Sequence, residues 1–260
     1  MGKDRYILLS FDVEEFDLPL EYGHQISLEK QMETGKKGLD AIDPFLTDTD
    51  IALTLFTTAH FAQQVPERIR SLAEHHEIAS HTFYHSSFEV KDLLASRLAL
   101  ETISGKKVTG LRMPRMRDVL VQDVLQAGYT YDASIHPTWI PGRYNHFNLP
   151  RTTYLEKELI RMPASVSPLI RVPLFWLSFK NFPFPLYRSL ALQTLHKDGY
   201  LCLYFHPWEF TDLSAFGLPA IVRKIDGSRL QERLQRLIHQ LKKEADFITI
   251  QDYLTIKKPR

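Results

Sequence analysis

Two histidines four residues apart, His81 and His85, lie in the run Ser80-His81-Thr82-Phe83-Tyr84-His85, just after a short apolar stretch, Glu77-Ile78-Ala79. An acidic cluster, Asp12-Val13-Glu14-Glu15, closes an earlier apolar stretch. Two imidazoles and a carboxylate from separate strand ends are what a catalytic divalent metal asks of a protein, with one position kept for water. The chemistry this predicts is hydrolysis. Residues two apart on a strand share a face, so Asp12 and Glu14 are expected to look into one pocket while Val13 turns to the core. One carboxylate can then hold the metal while its neighbour takes a proton from water. A helical turn between the histidines would bring both rings to one side, with the Thr82 hydroxyl bracing the turn. The plainer readings are a solvated acidic loop and two surface histidines.

Two further stretches end in chemistry. In Leu111-Arg112-Met113-Pro114, an arginine at a strand end can lock a carboxylate such as Asp12 in a bidentate pair; a surface salt bridge is the competing reading. Arg115 and Arg117 read as solvent-facing, or as contacts to an anionic part of a substrate. In Leu203-Tyr204-Phe205-His206-Pro207-Trp208-Glu209, His206 ends a strongly apolar run and can protonate a leaving amine; a satisfied core histidine is the ordinary alternative. Trp208 offers a sugar face or an apolar wall.

The elements that must position these groups follow from periodicity. Apolar runs of strand length alternate with segments of helical period, the pattern of an α/β fold with a parallel sheet. Strands are expected over Tyr6 to Phe11, Ile51 to Phe56, Glu77 to Ser80, Gly110 to Met113, Tyr129 to Asp132, Leu159 to Met162, Tyr200 to Phe205 and Phe247 to Ile250. Helices are expected over Leu28 to Leu46, Pro66 to Glu74, Val90 to Ile103, Asp118 to Ala127, Leu186 to Lys197 and Leu230 to Glu244. The last has Leu234, Leu237, Ile238 and Leu241 on one face. Asp12, His81, Arg112, Asp132 and His206 all fall at strand ends, where the loops of a parallel barrel converge on one mouth.

Composition sets the limits. The chain of 260 residues is read as one domain, 1–260, long enough for an ample core. Thirty-two basic residues against 31 acidic ones give no broad attraction to nucleic acid, and the tail Lys257-Lys258-Pro259-Arg260 reads as a solvated terminus. A single cysteine, Cys202, excludes an internal disulfide and a thiolate-built metal site. The start, Met1-Gly2-Lys3-Asp4-Arg5, carries no secretory h-region. No window approaches the roughly 20 apolar residues of a membrane span. The chain is read as soluble and cytoplasmic.

These residues resemble the polysaccharide deacetylases, the NodB-homology family of carbohydrate esterases, from Tyr6 to about Ile250. Ser10-Phe11-Asp12-Val13-Glu14 stands for the family's first motif, His81, Thr82 and His85 for its second, Arg112 and Pro114 for its third, and Phe205-His206-Pro207 for its last. The resemblance implies an irregular, TIM-like (β/α)7 barrel. It makes Asp12 the general base, Arg112 the residue that orients it, His206 the general acid, and His81 and His85 metal ligands. The family's usual carboxylate ligand is Val13 here; a branch with the ligand two residues on makes it Glu14. Asp132, with Trp139 downstream, is the candidate for the aspartate that tunes the acid histidine, although its spacing differs from the common form. Trp208, Phe205 and Pro114 are expected to touch substrate.

The activity so implied is metal-dependent removal of an acetyl group from an N-acetylated sugar, with zinc the first choice of ion and other divalent ions fitting too. Two rivals stand beside it: hydrolysis of a non-peptide C–N bond in a small amide or ureide, and a catalytically inactive sugar-binding module, for which Val13 is the motive. The aromatic stretch from Pro163 to Leu192 reads as apolar filling, with a peripheral membrane contact or a dimer contact as alternatives. The segment from Asp17 to Gly38 reads as a lid or a partner surface.

Overall fold

The computed structural model describes residues 4–142 and 144–257. Met1 to Lys3, the beginning of the start assessed above, and Lys258 to Arg260, most of the basic tail, lie outside the described residues.

Five parallel strands follow one another in space as in sequence: β1 (Tyr6–Val13), β2 (Thr54–Thr57), β3 (Glu77–Ser80), β4 (Gly110–Leu111) and β5 (Tyr131–Asp132). A separate antiparallel hairpin comprises β6 (Trp139–Ile140) and β7 (Tyr144–Asn145). β8 (Tyr154–Glu156) folds back antiparallel on β9 (Leu159–Arg161), which lies parallel to β5. β10 (Tyr200–Phe205) flanks β1 on its other side, and β11 (Asp246–Phe247) also pairs with β1. The sheet order is β10-β1-β2-β3-β4-β5-β9-β8. The sheet curls without a ladder between β9 and β10 among the described residues. Ser165 spans the gap: its N–H donates to the Cys202 carbonyl at 3.0 Å, and its Oγ accepts from the Cys202 N–H at 2.9 Å. This is the irregular α/β barrel expected from the sequence.

The helices are α1 (Leu18–Glu21), α2 (Leu28–Ala41), α3 (Asp43–Leu46), α4 (Ala59–Gln64), α5 (Pro66–Leu72), α6 (Lys91–Ser104), α7 (Val121–Gln126), α8 (Trp176–Asn181), α9 (Phe184–Asp198), α10 (Ala220–Arg223), α11 (Gly227–Leu241) and α12 (Ile250–Ile256). Among the described residues no helix is long and apolar enough to cross a membrane.

Strand alternation sorts the side chains into two layers. Ile7, Leu9, Phe11 and Val13 face outward and pack with the helices, including the buried stripe Leu230, Leu234, Leu237, Ile238 and Leu241 of α11. Each such leucine contributes roughly 1.5–3 kcal/mol by leaving water. Leu8, Phe56, Ala79, Tyr131, Met162 and Cys202 form a second cluster with Ile250 and Tyr253 of α12. The expected last strand therefore stops at Phe247: Thr249 caps α12, its hydroxyl accepting from the Asp252 N–H. Ile51, expected to open the second strand, makes only a lone bridge to Phe247.

Segment 17–38 is not a lid over its whole length. Gly35 and Gly38, three apart on α2, bring that helix against the backbone at Glu14 and at Pro207–Trp208. A Cβ at Gly38 would lie 2.5 Å from the Trp208 nitrogen, and one at Gly35 would lie 2.6 Å from the Glu14 carbonyl oxygen. Only glycine permits that approach, and it locks together the two chain turns that carry the site.

Candidate metal centre and active site

Glu14 follows β1, and His81 and His85 follow β3. One ligand atom from each lies within 4.8 Å of the others, and all three side chains are buried. Glu14 Oε2 is 3.0 Å from His81 Nε2 and 3.2 Å from His85 Nε2. The imidazoles lie nearly parallel, with centroids 5.6 Å apart. The turn between them is not helical. Thr82 adopts φ 63°, an uncommon conformation for a β-branched residue. Its hydroxyl donates to the Tyr84 carbonyl at 3.0 Å, and its N–H donates to Ser80 Oγ at 3.1 Å.

The remaining ring nitrogens fix what the facing ones can do. His81 Nδ1 donates to the Arg112 carbonyl at 2.8 Å, and His85 Nδ1 is 2.6 Å from Asp17 Oδ1. Both Nε2 atoms therefore turn lone pairs toward Glu14 Oε2, which is buried and has no hydrogen-bond donor. Three converging acceptors fit a divalent cation, and an imidazole anchored by a carboxylate is the usual support for one. With protons alone, His85 takes up the charge. Burial opposes this, but the Glu14 and Asp17 carboxylates outweigh it and lift its pKa to about 9. Burial likewise works against ionised Glu14, yet the neighbouring imidazoles of His85, His81 and His206 hold it well below the usual carboxylate range. The other Glu14 oxygen accepts from the Trp208 indole N–H at 3.0 Å.

Asp17 is in turn held by Arg115, whose Nη2 donates to Asp17 Oδ2 at 2.9 Å while its Nε bonds Glu21. Arg115 is exposed, as expected, and lines the pocket while paired with these two carboxylates. Asp17→Ala is expected to weaken metal binding about 10–100-fold, measured by competition with a chromogenic chelator; unchanged affinity would refute the support assigned to Asp17.

Asp12 lies beside this cluster. Arg112, wholly buried, donates to Asp12 Oδ1 at 2.6 Å and to Ser10 Oγ at 3.0 Å from the same Nη1. Its guanidinium carbon sits 4.0 Å from the Phe56 ring centroid and 4.9 Å from that of Tyr204. The pairing β1–β10, with Phe11 opposite Phe205, carries His206 to the same end. His206 Nε2 is 3.9 Å from Asp12 Oδ2. Burial disfavours the imidazolium, but a hydrogen bond to Glu209 and the charges of Glu14, Glu209 and Asp12 raise the His206 pKa overall. Glu209 Oε1 takes both the Nδ1 and the backbone N–H of His206, at 3.0 and 2.8 Å. Its other oxygen is 3.0 Å from Lys180 Nζ, both side chains being fully buried.

Three expected roles are corrected. Asp132 does not reach His206: Arg161 and Ser134 engage its carboxylate, and Glu209 occupies the place beside the histidine. Phe205 points away from the pocket into the core, against Phe11, Phe179 and Phe210, because residues alternate along β10 and Tyr204 and His206 take the inner face. Pro114, itself buried, opens a 3-10 turn, and its neighbours Met113, Arg115 and Met116 line the pocket instead. Trp208 does line the pocket, stacked on His206 with centroids 4.8 Å apart. Asp17 and Glu209 each stand three residues past a predicted site residue, a spacing that could have flagged them. Lys180 carries no comparable signal.

The pocket is a cavity of about 150 Å³ with Asp12, Glu14, His81, His85 and His206 at its base and Phe175, Trp176, Leu177 and Tyr204 among its walls. His136 also lines it, and burial, Arg112 and His146 push its pKa down to about 3, so the ring stays neutral.

The family description "polysaccharide deacetylase" matches residues 2–131, half of the chain, and the protein belongs to that family. The matched half holds Asp12, Glu14, His81, His85 and Arg112; His206 and Glu209 lie beyond it. Among solved structures, a protein from Pseudomonas aeruginosa PAO1 provisionally described as a polysaccharide deacetylase is 16% identical, with TM-score 0.69, covering 99% of this chain and 93% of its own. One from Mycobacterium smegmatis, described likewise, is 19% identical with TM-score 0.66, covering 100% of this chain and 94% of its own. The Puue allantoinase is 17% identical with TM-score 0.65, covering 99% and 92%. These likenesses show the fold. A comparison with curated proteins finds no match.

Proposed function

We propose that the protein is a metal-dependent hydrolase that removes the acetyl group from an N-acetylated sugar, releasing acetate and a free amine. The observation that carries this reading is the convergence of the Glu14, His81 and His85 acceptors beside Asp12 and His206. Family membership supports it.

A divalent cation bound there, zinc by preference for two imidazoles and one carboxylate, supplies Lewis acidity toward the attacking water and the acyl oxygen. The protein's residues do the rest. Arg112 fixes Asp12 Oδ1 and leaves Oδ2 to accept the proton of that water. The water oxygen bonds to the acyl carbon and the C–N bond breaks. His206, carrying a proton on Nε2, passes it to the departing nitrogen. Glu209 holds the opposite ring nitrogen, so the proton to be delivered faces the pocket. Val13, which replaces the family's usual aspartate, is buried in the outer core, and Glu14 takes the ligand position. This favours a working site over an inactive sugar-binding module. A cytoplasmic setting is part of the proposal; the buried, unpaired Cys202 is compatible with it.

The small cavity supports a second reading. About 150 Å³ is below the roughly 300–1,000 Å³ of common ligand sites, so a small amide or ureide would fit. Acetate release from N-acetylated sugars, with and without a chelator, tests the first reading; turnover of a small ureide with none of the sugars would replace it by the second.

Activity should fall as pH rises through the pKa of His206, since the acid form is lost. Glu209→Gln removes the ion that raises that pKa. The alkaline limb of the kcat/KM profile is therefore expected to move to lower pH. A limb that stays in place would remove Glu209 from this role.

A further inference from the structure

The fifth strand sends an ionisable group to the pocket, but not the one expected. Asp132 is taken by Arg161 and Ser134, and the loop after it delivers His136, which lines the cavity while only 1% exposed. That loop is held from both sides. The Ala133 N–H donates to the Leu111 carbonyl of β4 at 2.8 Å, the Ala164 N–H donates to the Ile135 carbonyl at 2.9 Å, and the His136 carbonyl accepts from the Thr138 N–H at 2.8 Å. The imidazole packs against two rings of the pocket wall, with centroids 5.1 Å from Phe175 and 5.4 Å from Tyr204. Its place is thus fixed before any ligand arrives, which is what a recognition group needs.

Asp12, Glu14, His81, His85 and His206 serve the reaction, and Glu21 and Arg115 hold each other. His136 does neither. A phenylalanine would fill the same place in an aromatic wall without polar atoms to withdraw from water; the imidazole adds a donor and an acceptor to this side of the cavity. A few polar groups so placed in an apolar wall are what fix the orientation of a ligand. The charge state narrows the kind of ligand. Burial, Arg112 and His146 hold the ring neutral, with its pKa at about 3. A neutral imidazole both donates and accepts, which matches a hydroxyl; a carboxylate or phosphate would call for a cation. From His206 the wall runs to Tyr204, with centroids 5.9 Å apart, and on to His136. A hexose reaches across such a wall, since the carbon bearing its acylamino group and the farther hydroxyls lie on different edges of the ring.

We propose that His136 is a specificity-determining residue, bonding one hydroxyl of the acylamino sugar while the amide nitrogen lies at His206. This deepens the hydrolase reading and rests on it.

The test is kcat/KM for N-acetylglucosamine and its 3-deoxy, 4-deoxy and 6-deoxy analogues, with the unaltered protein, His136→Phe and His136→Gln. His136→Phe keeps a ring against Phe175 and Tyr204 and removes the hydrogen bond. It is expected to lower kcat/KM for the parent sugar about 10–100-fold, mainly through KM, with metal content unchanged. One deoxy analogue should lose a like factor with the unaltered protein and little more with His136→Phe, because both changes remove the same bond. His136→Gln, which still donates and accepts, should recover part of the loss. Equal kcat/KM in the unaltered protein and His136→Phe would overturn the assignment. So would an equal loss with all four sugars, the mark of a packing role. Should no sugar be turned over, the hydrolase reading fails separately, and calorimetric titration with the same sugars decides the contact. Binding of N-acetylglucosamine that weakens in His136→Phe and with one deoxy analogue sustains it; no binding, or binding indifferent to the variant, overturns it.

Discussion

His81→Ala and His85→Ala are each expected to strip the bound metal and lower hydrolysis on the order of a thousandfold, the scale of several kcal/mol of lost charge stabilisation. The reason lies in the geometry. Three acceptor atoms within 4.8 Å of one another make a cation site only together. Removing one imidazole leaves Glu14 and a single nitrogen, too few to compete with water for a divalent ion. Elemental analysis of the purified protein checks the first half, and acetate release before and after chelation checks the second. Restoring the ion should restore the unaltered protein but not the variants. An unaltered protein that turns over fully in chelator, or a variant that keeps one equivalent of metal, would refute the assignment. Folding should survive, because the His81 ring bonds a backbone carbonyl at the site's edge rather than filling the core clusters.

Asp12→Asn is expected to cut kcat by about 10²–10⁴-fold, the range of a lost general base, while leaving the metal in place. Asp12 is outside the three-atom cluster, so metal content separates its role from that of a ligand. The same change exposes a second cost. Arg112 is wholly buried and its charged partner is Asp12. A neutral amide leaves that guanidinium with Ser10, the Ala133 carbonyl and two ring faces. A loss of a few kcal/mol of stability follows from breaking a buried pair, readable as a lower Tm. The two effects separate in Arg112→Lys, which keeps the charge but loses the planar guanidinium that reaches Asp12, Ser10 and the Ala133 carbonyl together, its bond to Asp12 being single rather than the bidentate pair expected: kcat should fall although Asp12 is intact. Activity of Asp12→Asn within a few-fold of the unaltered protein would remove Asp12 as the base.

The same geometry explains the glycines of α2. Gly35 and Gly38 hold that helix against the turns of Glu14 and Trp208. Gly38→Ala is expected to displace Pro207–Trp208, loosening the indole bond to Glu14 and the Glu209–His206 contact together. Reduced metal affinity along with a shifted pH profile would report this; an unchanged protein would show that the helix can retreat without cost.

By itself the sequence determined the alternation of strands and helices, the face that Asp12 and Glu14 share, and the histidine pair, because these depend on neighbours in the chain. A two-residue strand period puts Glu14 and Asp12 on one side and Val13 on the other whatever surrounds them. It also determined His206 as the end of an apolar strand. Tertiary structure alone decided the partners. Lys180 reaches Glu209, and Arg161 claims Asp132, only through packing between segments distant in the chain. Phe205 is core and Tyr204 is pocket because β1 pairs with β10 in one register, and no local signal fixes which face of a strand looks inward. The turn at Thr82 takes a left-handed conformation that a β-branched residue disfavours. Contacts distant in the chain hold it: the Ala59 and His60 N–H groups at the start of α4 donate to the Thr82 and Phe83 carbonyls at 3.0 and 2.9 Å.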